Sequence, residues 1–189
     1  RLQELIYSIK PKNIIETGVA HGGGLMFYST IMKCIYEEFK VIGVDIEIRE
    51  KNRKSIEEHE LYKYITLIEG NSISQETLKK IESQMIKNEK SIIILDSNHT
   101  KQHVLNELNM YSNLMNKGSI FIVADGIMKK IVGAPRTEKS WEWDNPLTAI
   151  DEFLKINKEF KKYEFKFPFN EGLINQRVTY WPSAFLIKD

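Results

Sequence analysis

Cysteine is almost absent from this sequence of 189 residues, which contains a single one, Cys34. One cysteine excludes an intrachain disulfide, and its apolar neighbours favour a buried structural residue over a catalytic thiol. No apolar run reaches the roughly 20 residues that a membrane-spanning helix needs. The chain also lacks an excess of charge of either sign, because it contains 27 basic and 26 acidic side chains. This balance argues against a dedicated nucleic-acid-binding protein, which needs surplus Lys and Arg.

The remaining composition is typical of a globular domain, with 42% apolar and 28% charged residues. The length predicts one domain over residues 1–189. The sequence begins at Arg1 rather than at methionine, and a helical pattern starts at once. We therefore expect an N-terminal segment of the protein to be missing from it. The low cysteine content and the lack of a recognisable signal peptide favour a reducing, cytoplasmic location.

Short apolar runs alternate with amphipathic stretches along the chain. They predict strands over residues 13–16, 41–45, 65–69, 92–96 and 120–125. Between them, apolar positions near a 3.6-residue period predict helices over 25–39, 51–61, 75–88 and 101–115. Strands that are apolar on both faces form parallel sheets, whose right-handed crossovers place helices on both sides. The sequence therefore predicts a doubly wound, Rossmann-like α/β fold.

The C-terminal part departs from this alternation. A helix is predicted over residues 147–160, with Pro146 in its first turn, and two strands follow over 163–169 and 177–187. A short turn around residues 170–175 predicts that these strands pair as an antiparallel hairpin. Such an ending favours a methyltransferase over a nicotinamide-binding domain. The segment 127–146 has little periodicity, and both a substrate lid and a packed surface loop stay open for it.

A glycine-rich loop follows the first predicted strand, with the sequence ETGVAHGGG from Glu16 to Gly24. Glycine lets the backbone turn sharply and approach a ligand closely. No Lys-Ser/Thr pair follows Gly24, which argues against a phosphate-binding loop, and the spacing differs from the dinucleotide pattern. A carboxylate at Glu16 would repel a pyrophosphate but suit the positive charge of S-adenosylmethionine (SAM). The pattern E-x-G-x-x-x-G is similar to the first motif of class I methyltransferases. The residues predicted to bind the cofactor here are Glu16, Gly18, Ala20, Gly22 and Gly23, while the role of His21 is left open.

Polar residues end each predicted strand, at Glu16, Asp45, Asn71-Ser72, Asp96 and Asp125. In open α/β sheets, ligands bind at the carboxyl ends of the strands, so these side chains are expected to meet in one crevice. Asp45 is placed to accept hydrogen bonds from ribose hydroxyls, although it could instead cap a helix. Asn71 or Ser72 is placed to contact the adenine, although Ser72 could instead cap the following helix. Asp96 is expected to contact the cofactor as well.

Two of these carboxylates, Asp96 and Asp125, end neighbouring strands. Hard oxygen ligands with open positions for water and substrate suit Mg²⁺ or a similar divalent ion. His99 lies three residues beyond Asp96 and is the candidate general base, because the pKa of imidazole is near operating pH. His103, one turn further on, is interpreted as a helix-capping or surface residue, although it could instead orient His99 or line the site. His59 lies in a charged helix and is expected to face solvent.

These motifs resemble the cephalosporin hydroxylase-like family, also called the rhamnosyl O-methyltransferase-like family, from about Ile14 to the C-terminal hairpin. The segments that carry the likeness are ETGVAHGGG, VIGVDIEIR, IEGNS, LDSNHTKQHVLNEL, GSIFIVADG and NPLTAIDEFL. The resemblance implies a metal-dependent class I methyltransferase that acts on hydroxyls of sugars or natural products. The site also resembles that of catechol O-methyltransferase, which implies that Asp96 and Asp125 bind metal and that His99 is the base. Ala124 stands where the family often has an acidic residue, and Gly126 stands where the catechol enzyme has asparagine. One expected ligand is therefore missing, and either water or another residue replaces it or metal binding is weakened or lost.

The sequence thus predicts a SAM-dependent, divalent-metal-assisted O-methyltransferase with a sugar, glycan or glycosylated natural product as acceptor. Two alternatives stay open: a metal-independent enzyme with His99 as sole base, and a SAM-binding domain without turnover. A nicotinamide-dependent oxidoreductase is disfavoured by the glycine spacing. The expected partner is a small-molecule or glycan acceptor, with no nucleic acid and no membrane span, and a homo-oligomer is allowed.

Overall fold

The computed structural model describes residues 1–164 and 179–189, and its centre is a sheet of seven strands. The strands are β1 Asn13–Thr17, β2 Lys40–Asp45, β3 Ile65–Glu69, β4 Ser91–Leu95, β5 Ile120–Val123, β6 Phe160–Lys162 and β7 Phe185–Lys188. Their order is β3-β2-β1-β4-β5-β7-β6. The first five are parallel, and β7 runs antiparallel to both β5 and β6. The predicted doubly wound sheet with an antiparallel C-terminal end is therefore confirmed.

Six helices cover the two faces of this sheet within the described ranges. They are α1 Leu2–Ile9, α2 Gly23–Lys33, α3 Glu50–Glu57, α4 Gln75–Gln84, α5 Lys101–Tyr111 and α6 Pro146–Ile156. Apolar residues of α1, α2 and α3 pack on one face, and those of α4, α5 and α6 pack on the other. The central strands β1 and β4 are buried along their whole length, as the apolar run of β4 predicts.

Polar caps define where two of the helices begin. The Ser74 hydroxyl accepts a hydrogen bond from the Thr77 backbone N–H at the start of α4, and Asn145 accepts one from Thr148 at the start of α6. Such caps satisfy backbone donors that have no partner within the helix. Pro146 occupies the first turn of α6, where its missing N–H costs nothing. The interpretation of Ser72 as a helix cap is wrong, since Ser74 has that role.

The C-terminal elements lie at different positions from those predicted. Helix α6 ends at Ile156 rather than at residue 160, because Asn157 leaves the helical conformation with a φ of −92° and a ψ of 85°. Its side-chain amide donates to the Phe153 carbonyl at the helix end. Phe160 then packs against Phe121 and Phe153 in the core, which places β6 before the predicted strand 163–169. β7 covers only the last part of the predicted strand 177–187. Residues 165–178, including the predicted turn at 170–175, lie outside the described residues.

Two smaller expectations also have outcomes here. Cys34 is exposed, so its interpretation as a buried residue is wrong: it follows the last turn of α2, and its thiol donates to the Thr30 carbonyl. Across the described ranges, none of the helices has the length and apolar character needed to cross a membrane.

Candidate functional site

The glycine loop between β1 and α2 lies against the end of β4. Gly18 has a φ of +92°, and a Cβ at this position would collide with the backbone carbonyl oxygen of Asp96. Gly22 precedes α2 with a φ of +80°, and a Cβ there would meet the Ile56 side chain. Both positions require glycine, because side chains rarely adopt this conformation and have no space here. The loop therefore brings the carboxyl ends of β1 and β4 into direct contact.

Asp45, at the end of β2, holds this loop in place. Its Oδ2 accepts hydrogen bonds from the backbone N–H groups of Val19 at 2.8 Å and Ala20 at 3.2 Å. Ala20 has a φ of +46°, and the Asn52 amide donates to its carbonyl oxygen at 2.7 Å. The sequence indicated Asp45 as a ribose ligand, with a helix cap as the alternative. Its second role as an anchor of the loop could not be seen without the fold.

A cavity of about 470 Å³ opens beside the loop, at the carboxyl ends of the parallel strands. This volume is in the range that small-molecule and cofactor sites occupy. Six of the residues predicted to bind the cofactor line it: Gly18, Ala20, Asp45, Asn71, Ser72 and Asp96. Its wall also contains Ile46, Ser97, Asn98 and His103. The predicted convergence of separate strand ends at one crevice therefore matches the structure.

Three residues that were predicted to bind the cofactor, Glu16, Gly22 and Gly23, lie outside the described wall of this cavity. Glu16 is buried below the first turn of α2, where the Tyr28 hydroxyl donates to its Oε1 at 2.8 Å. Gly24 allows this placement, because a Cβ there would collide with the carboxylate. Burial raises the pKa of Glu16 to about 7, against a smaller lowering by Tyr28 and a small rise from Asp96.

This burial predicts a pH dependence of stability. Because the pKa of Glu16 is higher in the folded protein than the ordinary value of 4.5, the neutral form is favoured by folding. The free energy of unfolding should thus fall by up to about 3 kcal/mol as pH rises from about 4.5 to above 7. Thermal unfolding across this range should show a flatter profile for Glu16→Gln, whose amide still accepts from Tyr28. Equal slopes for both proteins would contradict the assignment.

At the edge of the cavity, Asp96, His99 and Asp125 form a cluster. One potential ligand atom from each lies within 4.8 Å of the others. The His99 Nε2 is 3.4 Å from Asp125 Oδ2 and 3.9 Å from Asp96 Oδ1. Asp125 follows β5 with a φ of +54°, an uncommon conformation for a residue other than glycine. Burial raises the pKa of Asp96 to about 6, the nearby His99 lowers it, and Asp125 and Glu107 raise it.

The chemistry of this donor set fits a divalent ion. Two partly buried carboxylates from neighbouring strand ends supply hard oxygen ligands on one side, leaving other positions for water or an acceptor oxygen. The carboxylates repel each other without a cation between them. His99 is near enough to both to serve as a third ligand or as a base. Its Nε2 is the nitrogen that faces the carboxylates. Its Nδ1 is buried without a partner among the residues the structure describes.

His103 lines the cavity, which matches the alternative left open for it rather than the favoured helix-capping or surface role. Its Nε2 lies 3.0 Å from the Ser72 hydroxyl, and the fully buried Glu107 lies one turn further along α5. Glu107 was not predicted from the sequence. An acidic residue four positions after a histidine, on the helix face that packs against the sheet, was the signal that could have identified it.

The irregular segment 127–146 is attached to the same edge of the sheet. It contains two 3-10 turns, Gly126–Lys130 and Lys139–Glu142, which agrees with its weak periodicity. The Asp144 carboxylate accepts a hydrogen bond at 2.6 Å from the backbone N–H of Lys101, which lies two residues after His99. Trp143 beside it is 58% exposed. The segment thus adjoins the cluster, as a lid would, while its role as a lid stays a prediction.

Comparisons with known proteins place this site in a family. A family model described as Rhamnosyl O-methyltransferase/CmcI matches residues 1–189. A Rhamnosyl O-methyltransferase from Mycobacterium bovis is 30% identical over 126 residues, which are 65% of this chain and 49% of that protein. One from Mycobacterium leprae is 28% identical over 186 residues, covering 92% of this chain and 76% of that protein. The M. bovis match thus spans about half the length of that relative.

Solved structures agree with the sequence relatives. A structure of CmcI with Mg and SAM has a TM-score of 0.61 at 18% identity, and it covers all of this chain and 69% of that one. The MycE methyltransferase from the mycinamycin biosynthetic pathway, with Mg and S-adenosylhomocysteine (SAH), has a TM-score of 0.60 at 16% identity, covering 99% of this chain and 48% of that one. These likenesses confirm the class I methyltransferase fold. Together with the family match over the whole sequence, they show that the chain belongs to the Rhamnosyl O-methyltransferase/CmcI family.

Proposed function

We propose that this protein transfers the methyl group of SAM to a hydroxyl of a sugar, a glycan or a glycosylated natural product. The observation that carries the proposal is the shared position of Asp96. It lines the nucleoside-sized cavity and also belongs to the cluster with His99 and Asp125. A donor bound in the cavity would therefore lie beside an acceptor bound at the cluster. The names of the relatives, and the Mg, SAM and SAH in the structural neighbours, support the same reading.

Different residues of the cavity suit different parts of the cofactor. Asp45 offers carboxylate oxygens to ribose hydroxyls, while it also holds the glycine loop. Ile46, next to it, is 70% exposed in the cavity wall and offers an apolar surface to the adenine. Asn71 and Ser72 supply polar groups at the adenine edge. The loop residues Gly18 and Ala20 then border the methionine part of the cofactor.

The proposed chemistry is an in-line displacement. The acceptor oxygen forms a bond to the methyl carbon as the bond from that carbon to the sulfonium sulfur breaks, leaving SAH. The Nε2 of His99 takes the hydroxyl proton as general base. Asp96 and Asp125 would hold Mg²⁺, which supplies Lewis-acid stabilisation of the negative charge on the acceptor oxygen. The walls of the crevice hold donor and acceptor in line. The entropy lost in bringing the two together is then lost on binding and no longer adds to the activation barrier.

Binding of SAH tests the cofactor half of this function. Isothermal titration should show a complex with the intact protein, and Asp45→Ala should weaken it by roughly tenfold to a hundredfold, because ribose contacts and loop anchoring are lost together. Asp151→Ala is the control, since Asp151 is an exposed carboxylate on α6 that pairs with Lys162 and lies outside the described wall of the cavity. If the intact protein bound no SAH, the proposed function would be refuted.

A metal-independent mechanism is the second candidate, and the contact between His99 and Asp125 favours it. A carboxylate 3.4 Å from the imidazole can orient the base and stabilise its protonated form without an ion. Activity that survives EDTA and survives Asp96→Asn would support this candidate. The substrate class, a cytoplasmic location, the domain limits and a homo-oligomer all stay predictions.

A further inference from the structure

Glu107 on α5 is a buried carboxylate that the proposed reaction does not use. Its side chain is fully buried, and its Oε1 accepts a hydrogen bond from the Ser97 hydroxyl at 2.8 Å. Its Oε2 has no partner among the residues that the structure describes. A buried carboxylate with an unpaired oxygen is costly, so its presence beside the cofactor cavity needs a reason.

The neighbour of Glu107 in this network is His103, one turn earlier on α5. The His103 Nε2 lies 3.0 Å from the Ser72 Oγ, 3.3 Å from the Ser97 Oγ and 3.5 Å from the Glu107 Oε1. One ring nitrogen thus faces the residues that follow β3, the residues that follow β4, and the helix itself. The His103 side chain is 20% exposed and forms part of the cavity wall beside Ser72.

The hydrogen-bond donors and acceptors around His103 indicate which of its ring nitrogens carries the proton. A serine hydroxyl has one proton, and Ser97 donates it to Glu107, so toward His103 its oxygen can only accept. A proton on the His103 Nε2 suits this arrangement, because the Ser97 oxygen and the Glu107 Oε1 beside it are both acceptors. In the neutral imidazole, Nδ1 is then an acceptor. Within residues 1–164 and 179–189 it makes no hydrogen bond, and it is not among the buried unpaired atoms.

We propose that the His103 Nδ1 accepts a hydrogen bond from the exocyclic amino group of the cofactor's purine, and that Glu107 is the positioning residue that sets this tautomer. The inference rests on the proposed function, because it assigns the adenine to the part of the cavity that Asn71, Ser72 and His103 line. It adds a rule of specificity: the site accepts a purine with an amino group at position 6 and rejects one with a carbonyl there, because two acceptors would then face each other.

The test compares SAH with S-inosylhomocysteine, which carries the carbonyl, by isothermal titration on the whole protein. The wild type should bind SAH roughly tenfold to a hundredfold more tightly, since the carbonyl leaves a polar pair unsatisfied. His103→Ala should bring the ratio of the two dissociation constants close to one. Equal binding of both ligands by the wild type would overturn the proposal, as would an unchanged ratio in His103→Ala.

Glu107→Leu examines the positioning role separately. Leucine has a similar size but cannot accept, so the Ser97 hydroxyl is free to donate to Nε2 and the other tautomer becomes accessible. The ratio should fall, although Glu107 never contacts the ligand, and a role in folding alone would lower stability without changing the ratio. Gln102→Ala, at an exposed position of the same helix, should leave the ratio intact. If Glu107→Leu kept the wild-type ratio, the positioning role would be wrong.

The two levels of failure can be told apart. If the wild type binds neither ligand, the proposed function fails and this inference fails with it. If the wild type binds SAH but does not discriminate, only the inference fails. Thermal unfolding of each variant shows whether a lost ratio comes from a lost fold. Where His103→Ala is unstable, His103→Asn gives a second reading, because its amide can turn to offer either an acceptor or a donor and should also remove the preference.

Discussion

Replacing His99 with glutamine is expected to lower the kcat of the proposed methyl transfer by about 10²–10⁴-fold, the range that loss of a general base produces. Glutamine is polar and similar in length, but it cannot take a proton. SAH binding should be unchanged, because His99 lies outside the described wall of the cofactor cavity. Single-turnover rates with saturating SAM, together with SAH titrations, measure the two quantities separately.

His59→Gln is the matched control for this experiment. His59 is exposed beside α3, where its Nδ1 accepts from the Leu61 backbone, and it belongs to no part of the site. Its replacement should leave the rate unaltered. Mg²⁺ titration of His99→Gln adds a further reading, since ion binding that disappears with the histidine would make His99 a ligand rather than the base. A wild-type rate in His99→Gln would refute both roles.

Replacing Gly18 with alanine is expected to destabilise the fold by about 1–3 kcal/mol from backbone strain alone. The new Cβ would also overlap the Asp96 carbonyl. This overlap adds to the destabilisation, because the contact is with backbone, which cannot move aside as a flexible side chain can. The ends of β1 and β4 would have to separate, and both border the cavity. Urea unfolding should therefore show reduced stability, and SAH binding should weaken in the same variant.

Gly23→Ala supplies the comparison for Gly18→Ala. Gly23 begins α2, its φ is not in the left-handed region, and no heavy atom lies within 4 Å of a Cβ built there. Alanine has a higher helix propensity than glycine, so this variant should be as stable as the wild type or slightly more stable. If both substitutions had the same effect, the close approach of the loop to β4 would not be the cause.

Most of the fold could be predicted from the sequence, because the patterns that determine it are local. A run such as residues 92–95 is apolar on both faces, which is sufficient to predict a buried parallel strand. The polar residue that follows each run marks the carboxyl end of a strand, and parallel strands bring those ends to one edge. Asp45, Asn71, Ser72 and Asp96 could thus be assigned to one cavity before their distances were known.

The destination of Glu16 could not be predicted in the same way. It precedes the glycine loop, as a cofactor ligand would, but its carboxylate turns below α2 to Tyr28. The direction depends on the space that Gly24 leaves and on where α2 packs, and neither is encoded in the spacing of the motif. The C-terminal strands lie at other positions than predicted for a similar reason, because Phe160 packs against Phe121 and Phe153, which belong to distant elements.

By itself, the sequence determined the alternation of strands and helices, the loop that glycine permits and the edge at which polar side chains gather. The tertiary structure decided which of those side chains contact one another: His99 with Asp125, Asp45 with the loop backbone, and His103 with Ser72, Ser97 and Glu107. The physical reason is range. Backbone periodicity arises from neighbouring residues, whereas hydrogen-bond partners are chosen by the packing of elements that lie far apart along the chain.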